Sequence, residues 1–280
     1  MNTPSCPLPA ADSEHSWPTT RQTTVLRVEG GQARSDLDEV IEEVPVALVY
    51  NGISHAVLLA TPSDLDDLAL GFSLSEGILA ARGELYDSEQ HPHPKGIELR
   101  LQIASERFVA LKERRRNLAG RTGCGLCGLE SLDALARPVA PLPPGEPVPA
   151  AAICHGLAEL PGWQRLRHTT GAVHAAAWIA RDGRIHALRE DVGRHNALDK
   201  LLGHLARTGQ ATEDGFVVVS SRASYEMVQK VAAVGIRTLV AVSAPTALAI
   251  RLASDTGVTL AGFARDRRLV VYSHPEGITL

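Results

Sequence analysis

Short apolar segments separated by polar or glycine-containing turns dominate the first half of the chain. Their length and their content of Val, Ile, Leu and Ala are typical of β-strands. They are residues 44–50, 57–60, 97–103 and 108–112. One helix interrupts them, and we expect it to begin at residues 61–63, where a hydroxyl can cap it and Pro62 fits its first turn. Its apolar positions recur at roughly helical spacing: Leu65, Leu68, Ala69, Phe72 and Ile78. This half of the chain is predicted to be α+β.

The second half alternates apolar strands with amphipathic helices. The predicted strands are residues 173–179, 216–220, 238–243 and 258–263, and the predicted helices lie near 193–207, 224–234 and 245–254. Such alternation favours a mostly parallel sheet covered by helices, a three-layer αβα arrangement. In the first of these helices Leu198, Leu201, Leu202 and Leu205 build one apolar stripe, which we expect to be core.

A proline-rich segment divides the chain. Six prolines lie between Pro138 and Pro149, a composition that is expected to exclude helix and ladder pairing and to favour an extended, semi-rigid connector. Residues 1–20 are polar, proline-rich and without periodicity, and are predicted to be a disordered tail. The predicted organisation is therefore a tail (1–20), an α+β domain (21–136), a linker (137–150) and an α/β domain (151–280).

Composition and charge argue against several classes of protein. The chain has 280 residues, 44% of them apolar, enough for one full core and for a second. Subtracting 32 acidic from 28 basic residues gives a net charge of −4, which argues against non-specific nucleic-acid binding. No segment approaches the roughly 20 apolar residues of a membrane span, and the first 17 residues do not resemble a signal peptide. We expect a cytoplasmic protein without nucleic-acid or membrane partners.

Two thiols three residues apart form the sharpest chemical feature. Cys124 and Cys127 lie in the segment Arg121-Thr-Gly-Cys-Gly-Leu-Cys-Gly, where glycines allow close approach to another molecule. Further arginines precede them at positions 114–116. Nearby cations lower a thiol pKa and favour the reactive thiolate, so a nucleophilic or redox role follows. Four cysteines are too few for a disulfide scaffold in a chain of this length.

Other interpretations of this segment remain open. Structural zinc needs four ligands and no second CxxC exists, so a metal clip would have to be shared between subunits. The thiols could be inert. The same letters match GxGxxG, but a polar, basic stretch separates them from the nearest strand, unlike a dinucleotide-binding turn. A thioredoxin-like site would lie at a strand-to-helix junction, which we do not expect here.

A second group of candidate residues lies at the strand-to-helix junctions of the second half. The segments are 190–200, 220–224 and 243–246. In a parallel sheet these junctions share one edge, where helix N-termini present free N–H groups that suit phosphate. Arg194 and His195 stand where a helix is expected to begin. A helix N-terminus prefers negative charge, so basic residues are unfavourable there unless an anionic ligand binds beside them. The alternative is ordinary helix capping by serines at 221, 224 and 243.

The segment 262–268 ends a strand with an aromatic residue and three arginines, which suit phosphate and base stacking. A solvated hairpin turn is the alternative. His174-Ala-Ala176 is similar to the H-x-E of zinc nucleobase deaminases, but alanine replaces the glutamate and no PCxxC follows. Deaminase chemistry is therefore not expected, and Cys154 and Cys6 receive no role.

Six motifs in order resemble the FdhD/NarQ family, the formate dehydrogenase accessory sulfurtransferases. They are RTGCGLCG, TTGAVHAAAW, REDVGRHNALDK, SSRASYEMVQK, VSAPTALAI and GFARDRRLVVYSHP, and the resemblance covers about residues 44–274. It implies a C-terminal domain resembling cytidine deaminase, a homodimer, and persulfide sulfur passed from a cysteine desulfurase to the molybdenum bis(guanine dinucleotide) cofactor. The cofactor is then a bound substrate that reaches the formate dehydrogenase catalytic subunit, and no permanent metal is implied.

The resemblance also implies residue roles. Cys124 would carry the persulfide, and Cys127 would assist transfer or resolve it. The cofactor-binding loop would comprise Phe263, Ala264, Arg265, Asp266, Arg267 and Arg268. The competing hypotheses are a non-catalytic chaperone that holds the cofactor or the apo-dehydrogenase, and a dimer clipped by metal.

Overall fold

The computed structural model describes residues 17–119 and 139–280, with the backbone alone for residues 114–119. Cys124 and Cys127 lie outside these residues, as do Cys6 and most of the predicted tail. Within the described residues the chain is a mixed α/β protein with two main sheets.

The first half contains a hairpin and a four-stranded sheet. The hairpin pairs β1 (Thr20–Glu29) with β2 (Gln32–Ile41). The sheet has the order β4-β3-β6-β5 and its strands are β3 (Val44–Tyr50), β4 (Ile53–Ala60), β5 (Leu85–His93) and β6 (Gly96–Ile103). One face of it packs against helix α1 (Leu65–Ser75), and helix α2 (Ser105–Ala119) adds Leu111 to the same core. The predicted α+β character is confirmed.

Several local predictions for this half were wrong. Residues 108–112 are the middle of α2 and not a strand. Helix α1 begins at Leu65 after Asp64, which has a left-handed φ of 50°, and no side chain caps it. The helix ends at Ser75, so Ile78 lies beyond it, although Ile78 is buried in the same core.

The second half contains a six-stranded sheet of order β13-β12-β11-β10-β8-β9. Its strands are β8 (His174–Ala180), β9 (Ile185–Asp191), β10 (Gly215–Val219), β11 (Thr238–Ala241), β12 (Thr259–Arg265) and β13 (Arg268–Ser273). The helices are α3 (Ala150–Trp163), α4 (Arg165–Thr170), α5 (Arg194–Thr208), α6 (Tyr225–Ala233) and α7 (Ala247–Thr256).

The sheet is mixed, so the prediction of a mostly parallel sheet was wrong. Only β10, β11 and β12 pair in parallel, and the three other neighbouring pairs are antiparallel. Strand β9 nevertheless runs in the same direction as β10, because both are antiparallel to β8, which lies between them. The carboxyl ends of β9, β10, β11 and β12 therefore share one edge, as the sequence predicts for the junctions.

Helices cover both faces of this sheet. Alternate residues of β8 divide between the faces: Trp178 packs with α5, α6 and α7, whereas Ile179 packs with α3. The predicted stripe of α5 is confirmed, since its four leucines are at most 2% exposed. The resulting order of layers is helix, sheet, helix.

The proline-rich segment lies against the second half. Arg237 Nε donates to the Pro143 carbonyl at 2.9 Å, and Arg181 donates to the carbonyls of Glu146 and Pro147. Its last residues form β7 (Val148–Pro149), which pairs in parallel with β14 (Ile278–Thr279). The expectation that this segment excludes ladder pairing was therefore wrong at its end.

Helices α1 and α5 join the two halves through a close crossing. A Cβ added at Gly71 would lie 1.7 Å from the Asp199 carbonyl oxygen, and one added at Gly203 would lie 1.9 Å from that of Asp67. Only glycine permits backbones to approach this closely. The first half is thereby held against the helix that begins at the shared sheet edge.

Candidate functional site at the sheet edge

Asp191 organises the first junction of the shared edge. This fully buried residue ends β9, and its Oδ1 accepts hydrogen bonds from Gly193 N and Asn196 Nδ2. Its Oδ2 accepts from Thr61 N at 3.0 Å and lies 2.7 Å from Lys200 Nζ. The Asp191 carboxylate therefore binds both the start of α5 and Thr61, the residue that follows β4 of the four-stranded sheet.

The other charged residues of this motif also have structural partners. Glu190 accepts hydrogen bonds from Leu166 N and Arg167 N and so caps α4, while Asp199 lies 2.9 Å from Lys230 Nζ. Arg189 donates to Asp67 Oδ2 at 2.7 Å. Of the charged residues in 189–200, this leaves Arg194 and His195, which begin α5.

His195 joins the first turn of α5 to that of α6. Its Nε2 lies 2.7 Å from Glu226 Oε2. The adjacent His195 side chain lowers the pKa of Glu226 below its ordinary value, and the charges of Lys230 and Arg194 act in the same direction. The two helix N-termini therefore lie side by side at the edge.

His174 opens β8 opposite Asp191 and lies in a cationic environment. Burial lowers its pKa first, and the neighbouring charges of Arg194, Arg167 and His195 lower it further. A depressed pKa keeps this imidazole neutral near pH 7, so His174 adds a hydrogen-bonding group and not another charge.

Side-chain capping explains only part of the junctions. At the α7 junction the cap is Thr246 and not the expected Ser243: Thr246 Oγ1 accepts a hydrogen bond from Ala249 N. Ser221, however, donates to the Arg222 carbonyl. Ser224 precedes α6 without a side-chain cap, and its buried Oγ has no hydrogen-bond partner among the described residues. The serine at the α6 junction is therefore not accounted for by capping.

The hairpin joining β12 and β13 has unusual backbone geometry. Phe263, Asp266 and Arg267 have φ values of 50°, 48° and 63°, and only three other described non-glycine residues have positive φ. A two-residue turn with both central φ values positive normally contains Asn or Gly. Bulky residues in this conformation cost about 1–2 kcal/mol each, and such strain concentrates at functional sites.

This hairpin lines a cleft of about 660 Å³. Phe263 is 46% exposed, and Phe263 N donates to the Ser243 carbonyl, which connects the cleft to the shared edge. The lining residues are Ala150, Cys154, Phe263, Arg265, Arg267, Arg268, Leu269, Val270 and Leu280. An aromatic face with three guanidinium groups can stack on a base and bind phosphate oxygens.

Not every residue of the predicted cofactor-binding loop faces this cleft. Ala264 is fully buried and packs in the core beneath the sheet, and Asp266 occupies the turn. Conversely, sequence reasoning gave no role to Cys154, which lies on α3 and lines the cleft. No sequence signal could have found it, because α3 and the hairpin are more than 100 residues apart.

No helix in the described ranges is both long and apolar enough to cross a membrane.

Comparison with known proteins identifies the family. The FdhD/NarQ family model matches residues 41–279. The Sulfur carrier protein FdhD of Cupriavidus necator is 55% identical over 268 residues, covering 96% of this chain and 93% of that protein. Its counterpart in Variovorax paradoxus is 56% identical over 244 residues, covering 87% and 88%. A crystal structure of a formate dehydrogenase accessory protein from Desulfotalea psychrophila superposes with a TM-score of 0.73 at 24% identity, covering 94% of this chain and all of that one. The chain therefore belongs to the FdhD/NarQ family.

Proposed function

We propose that this protein is a sulfurtransferase that carries persulfide sulfur from a cysteine desulfurase to the molybdenum bis(guanine dinucleotide) cofactor, bound as substrate. The cofactor then enters the catalytic subunit of formate dehydrogenase. Relatives at 55% and 56% identity are named sulfur carriers. The match spans the thiol segment and the hairpin alike, since the family model covers residues 41–279.

The cleft at the β12–β13 hairpin is the observation that carries the proposal. A guanine dinucleotide combines a flat base with a pyrophosphate, and the cleft combines Phe263 with Arg265, Arg267 and Arg268. The positive φ values of this hairpin indicate that its backbone is held in a shape that costs stability. A role in ligand binding would explain why this strained backbone conformation is retained.

Two thiols suffice to move the sulfur. The Cys124 thiolate attacks the terminal sulfur of the desulfurase persulfide, so a new S–S bond forms and the donor cysteine leaves as a thiolate. The Cys127 thiolate then attacks Cys124 Sγ, which forms a disulfide and releases hydrosulfide to the bound metal. A cellular dithiol reduces the disulfide and returns both thiols for the next cycle.

We also propose that the protein acts in the cytoplasm as a homodimer and that its helix-covered second half is a cytidine-deaminase-like domain. Ala176 stands where such a deaminase has its glutamate, so this domain binds a nucleotide without deaminating it.

The thiol chemistry is tested by Cys124→Ala in cells that lack the chromosomal gene. We expect formate dehydrogenase activity to be lost while the protein accumulates normally. Cys6→Ala is the matched control and should retain activity, because Cys6 precedes residues 41–279, which the family model matches. Full activity of Cys124→Ala would favour the chaperone hypothesis and overturn the relay.

The cleft is tested separately with GDP. Ligands that bind the folded state raise the melting temperature. We expect GDP to do so for the wild type and much less for Arg268→Ala, whereas Arg184→Ala should respond like the wild type. Arg184 is 77% exposed and lies in the β8–β9 turn, at the opposite edge of the sheet. No shift at millimolar GDP would contradict a nucleotide site in the cleft.

A further inference from the structure

Strand β12 departs from regular pairing with β13 just before the hairpin turn. The register between the two strands shifts twice, and the pairs on either side of the shifts are Leu260–Ser273, Ala261–Val271, Gly262–Val270 and Arg265–Arg268. The first shift leaves Tyr272 as an extra residue of β13, and the second leaves one extra residue in β12 after Gly262. Gly262 therefore lies between two β-bulges.

Phe263 is the extra residue of β12. Ala261 and Ala264 both pack in the core that contains α3, although residues three apart in a regular strand face opposite sides. Phe263, which lies between them, has a left-handed φ of 50°, whereas Gly262 does not have a positive φ. Left-handed bulge positions normally contain glycine. Glycine and phenylalanine therefore stand in the reverse of the usual order, and each needs its own explanation.

The space around Gly262 explains the glycine. A Cβ added there would lie 2.7 Å from Pro245 Cδ, and 3.2 Å from both the Ser243 carbonyl oxygen and Tyr272 Cε2. The Pro245 ring cannot rotate aside, because it closes on its own backbone, which forms a β-bridge with Ala223. Position 262 therefore lacks a side chain because two rings and a carbonyl group occupy the space that a side chain would need.

The same contacts fix the backbone that carries Phe263. Phe263 N donates to the Ser243 carbonyl at 3.1 Å, next to the point where Gly262 meets Pro245. The Phe263 ring is 46% exposed and lines the cleft. Bulges beside functional sites change the direction of a side chain. A methyl group at position 262 would push β12 away from Pro245 and would move the Phe263 ring with it.

We propose that Gly262 is a positioning residue of the cleft, because it lets Pro245 and Tyr272 pack on the β12 backbone and so holds the bulge that presents the Phe263 ring to a flat base. The inference rests on the proposed function for its ligand, a guanine dinucleotide. It adds a division of roles within the cleft. The Phe263 ring, held through Gly262, binds the base, while the three arginines bind the pyrophosphate.

The test compares GDP with inorganic pyrophosphate, which has no base, by calorimetric titration of the full chain. We expect Gly262→Ala to weaken GDP binding about tenfold, the size of a lost base stack, and to leave pyrophosphate binding unchanged. Gly83→Ala is the matched control, because nothing lies within 4 Å of its Cβ position, and should bind both probes like the wild type.

Further variants show whether Gly262 acts through the ring. The double variant Gly262→Ala with Phe263→Ala should bind GDP no more weakly than Phe263→Ala alone, since the effects of coupled residues do not add. Phe263→Gly should raise the melting temperature without ligand and still weaken GDP binding, because glycine suits the left-handed position. Tyr272→Ala removes a ring at Gly262 without adding bulk and should weaken GDP alone, which keeps the test available if Gly262→Ala does not fold.

The outcomes separate this inference from the proposed function. If the wild type does not bind GDP, or if Arg268→Ala binds both probes like the wild type, the cleft is wrong and the positioning role fails with it. If Gly262→Ala and Tyr272→Ala bind GDP like the wild type, or lose GDP and pyrophosphate equally, the positioning role is overturned and the cleft stands. Additive losses in the double variant would also overturn it, because Gly262 would then act independently of Phe263.

Discussion

Lys200 and Asp191 are both fully buried, and Lys200 Nζ lies 2.7 Å from Asp191 Oδ2. Lys200 Nζ also donates to the Thr61 carbonyl, and Asp191 accepts from Thr61 N. This pair therefore joins the end of the first sheet to the helix that carries Arg194. A buried pair of opposite charges therefore positions the sheet edge.

Replacing Lys200 with methionine should destabilise the protein strongly. The substitution leaves the Asp191 carboxylate buried and unpaired, which costs roughly 3–5 kcal/mol. Urea unfolding measures this free energy, and Lys95→Met, at an exposed position in the β5–β6 turn, is the control. A loss below about 1 kcal/mol would show that the pair does not hold the halves together.

A methyl group at the crossing of α1 and α5 should separate the two helices. In Gly71→Ala the new Cβ would approach a backbone oxygen that cannot move aside, and overpacking of this kind costs about 1–3 kcal/mol or more. Gly162→Ala is the matched control, because nothing lies within 4 Å of its Cβ position in α3. Replacing that helical glycine should raise stability by up to about 1 kcal/mol. Equal effects in the two variants would contradict the close crossing.

The Asp67 network should make stability depend on pH in acid. Burial alone would raise the pKa of Asp67, but hydrogen bonds from Arg207 and Arg189 outweigh it and hold the pKa below its ordinary 3.8. The ionised Asp67 carboxylate therefore stabilises the folded state fully above pH 3.8, its ordinary pKa. This stabilisation is lost as the pH falls through the lower pKa that Asp67 has in the folded state.

Asp67→Asn tests this dependence. We expect the free energy of unfolding to fall by about 2 kcal/mol at pH 6. The Asp67 side chain is only 3% exposed, but solvent weakens its pairing with Arg207, whose side chain is 48% exposed. The difference from the wild type should shrink between pH 4 and pH 2, where urea unfolding is measured. Asp182→Asn, with a side chain 56% exposed, should show neither effect. A constant difference across the acid range would rule out the shifted pKa as its source.

Most elements that the sequence predicts are buried, whereas several that it misses are mostly exposed. Strand β5 reads LYDSEQHPH, and only its pairing with β6 makes it a strand. The β1–β2 hairpin is likewise mostly exposed and has weak alternation. In α2 the apolar letters around Phe108 suggest a strand, whereas Phe108 and Leu111 share the helical spacing that the structure uses.

The candidate site, too, could be predicted from the sequence only in part. The junctions could be located from strand-helix alternation, since they need only the direction of each strand. Which charges bind ligand could not be predicted, because Asp67 and Thr61, which engage Arg189 and Asp191, lie more than 100 residues away from them in sequence. Once those partners are known, Arg194 is the arginine of the 189–200 motif whose Nε has no hydrogen-bond partner among the described residues.

Relaxing the β12–β13 turn should raise stability and weaken binding. Asn-Gly is the preferred sequence for a turn with two positive φ values, so the double change Asp266→Asn and Arg267→Gly should gain about 1–2 kcal/mol. It also removes one guanidinium from the cleft, so GDP should raise the melting temperature less. Asp266→Asn alone keeps that guanidinium and serves as the control. A double variant that is less stable than the wild type would show that the turn is not strained.

The claim that sulfur travels on this chain is tested most directly by mass spectrometry of the intact and digested protein after incubation with a cysteine desulfurase and cysteine. We predict the added mass of one sulfur atom on the peptide that contains Cys124. This added mass should be absent from Cys124→Ala but present in Cys154→Ala. An unmodified Cys124 under conditions in which the desulfurase turns over, or added sulfur on Cys154 alone, would contradict it.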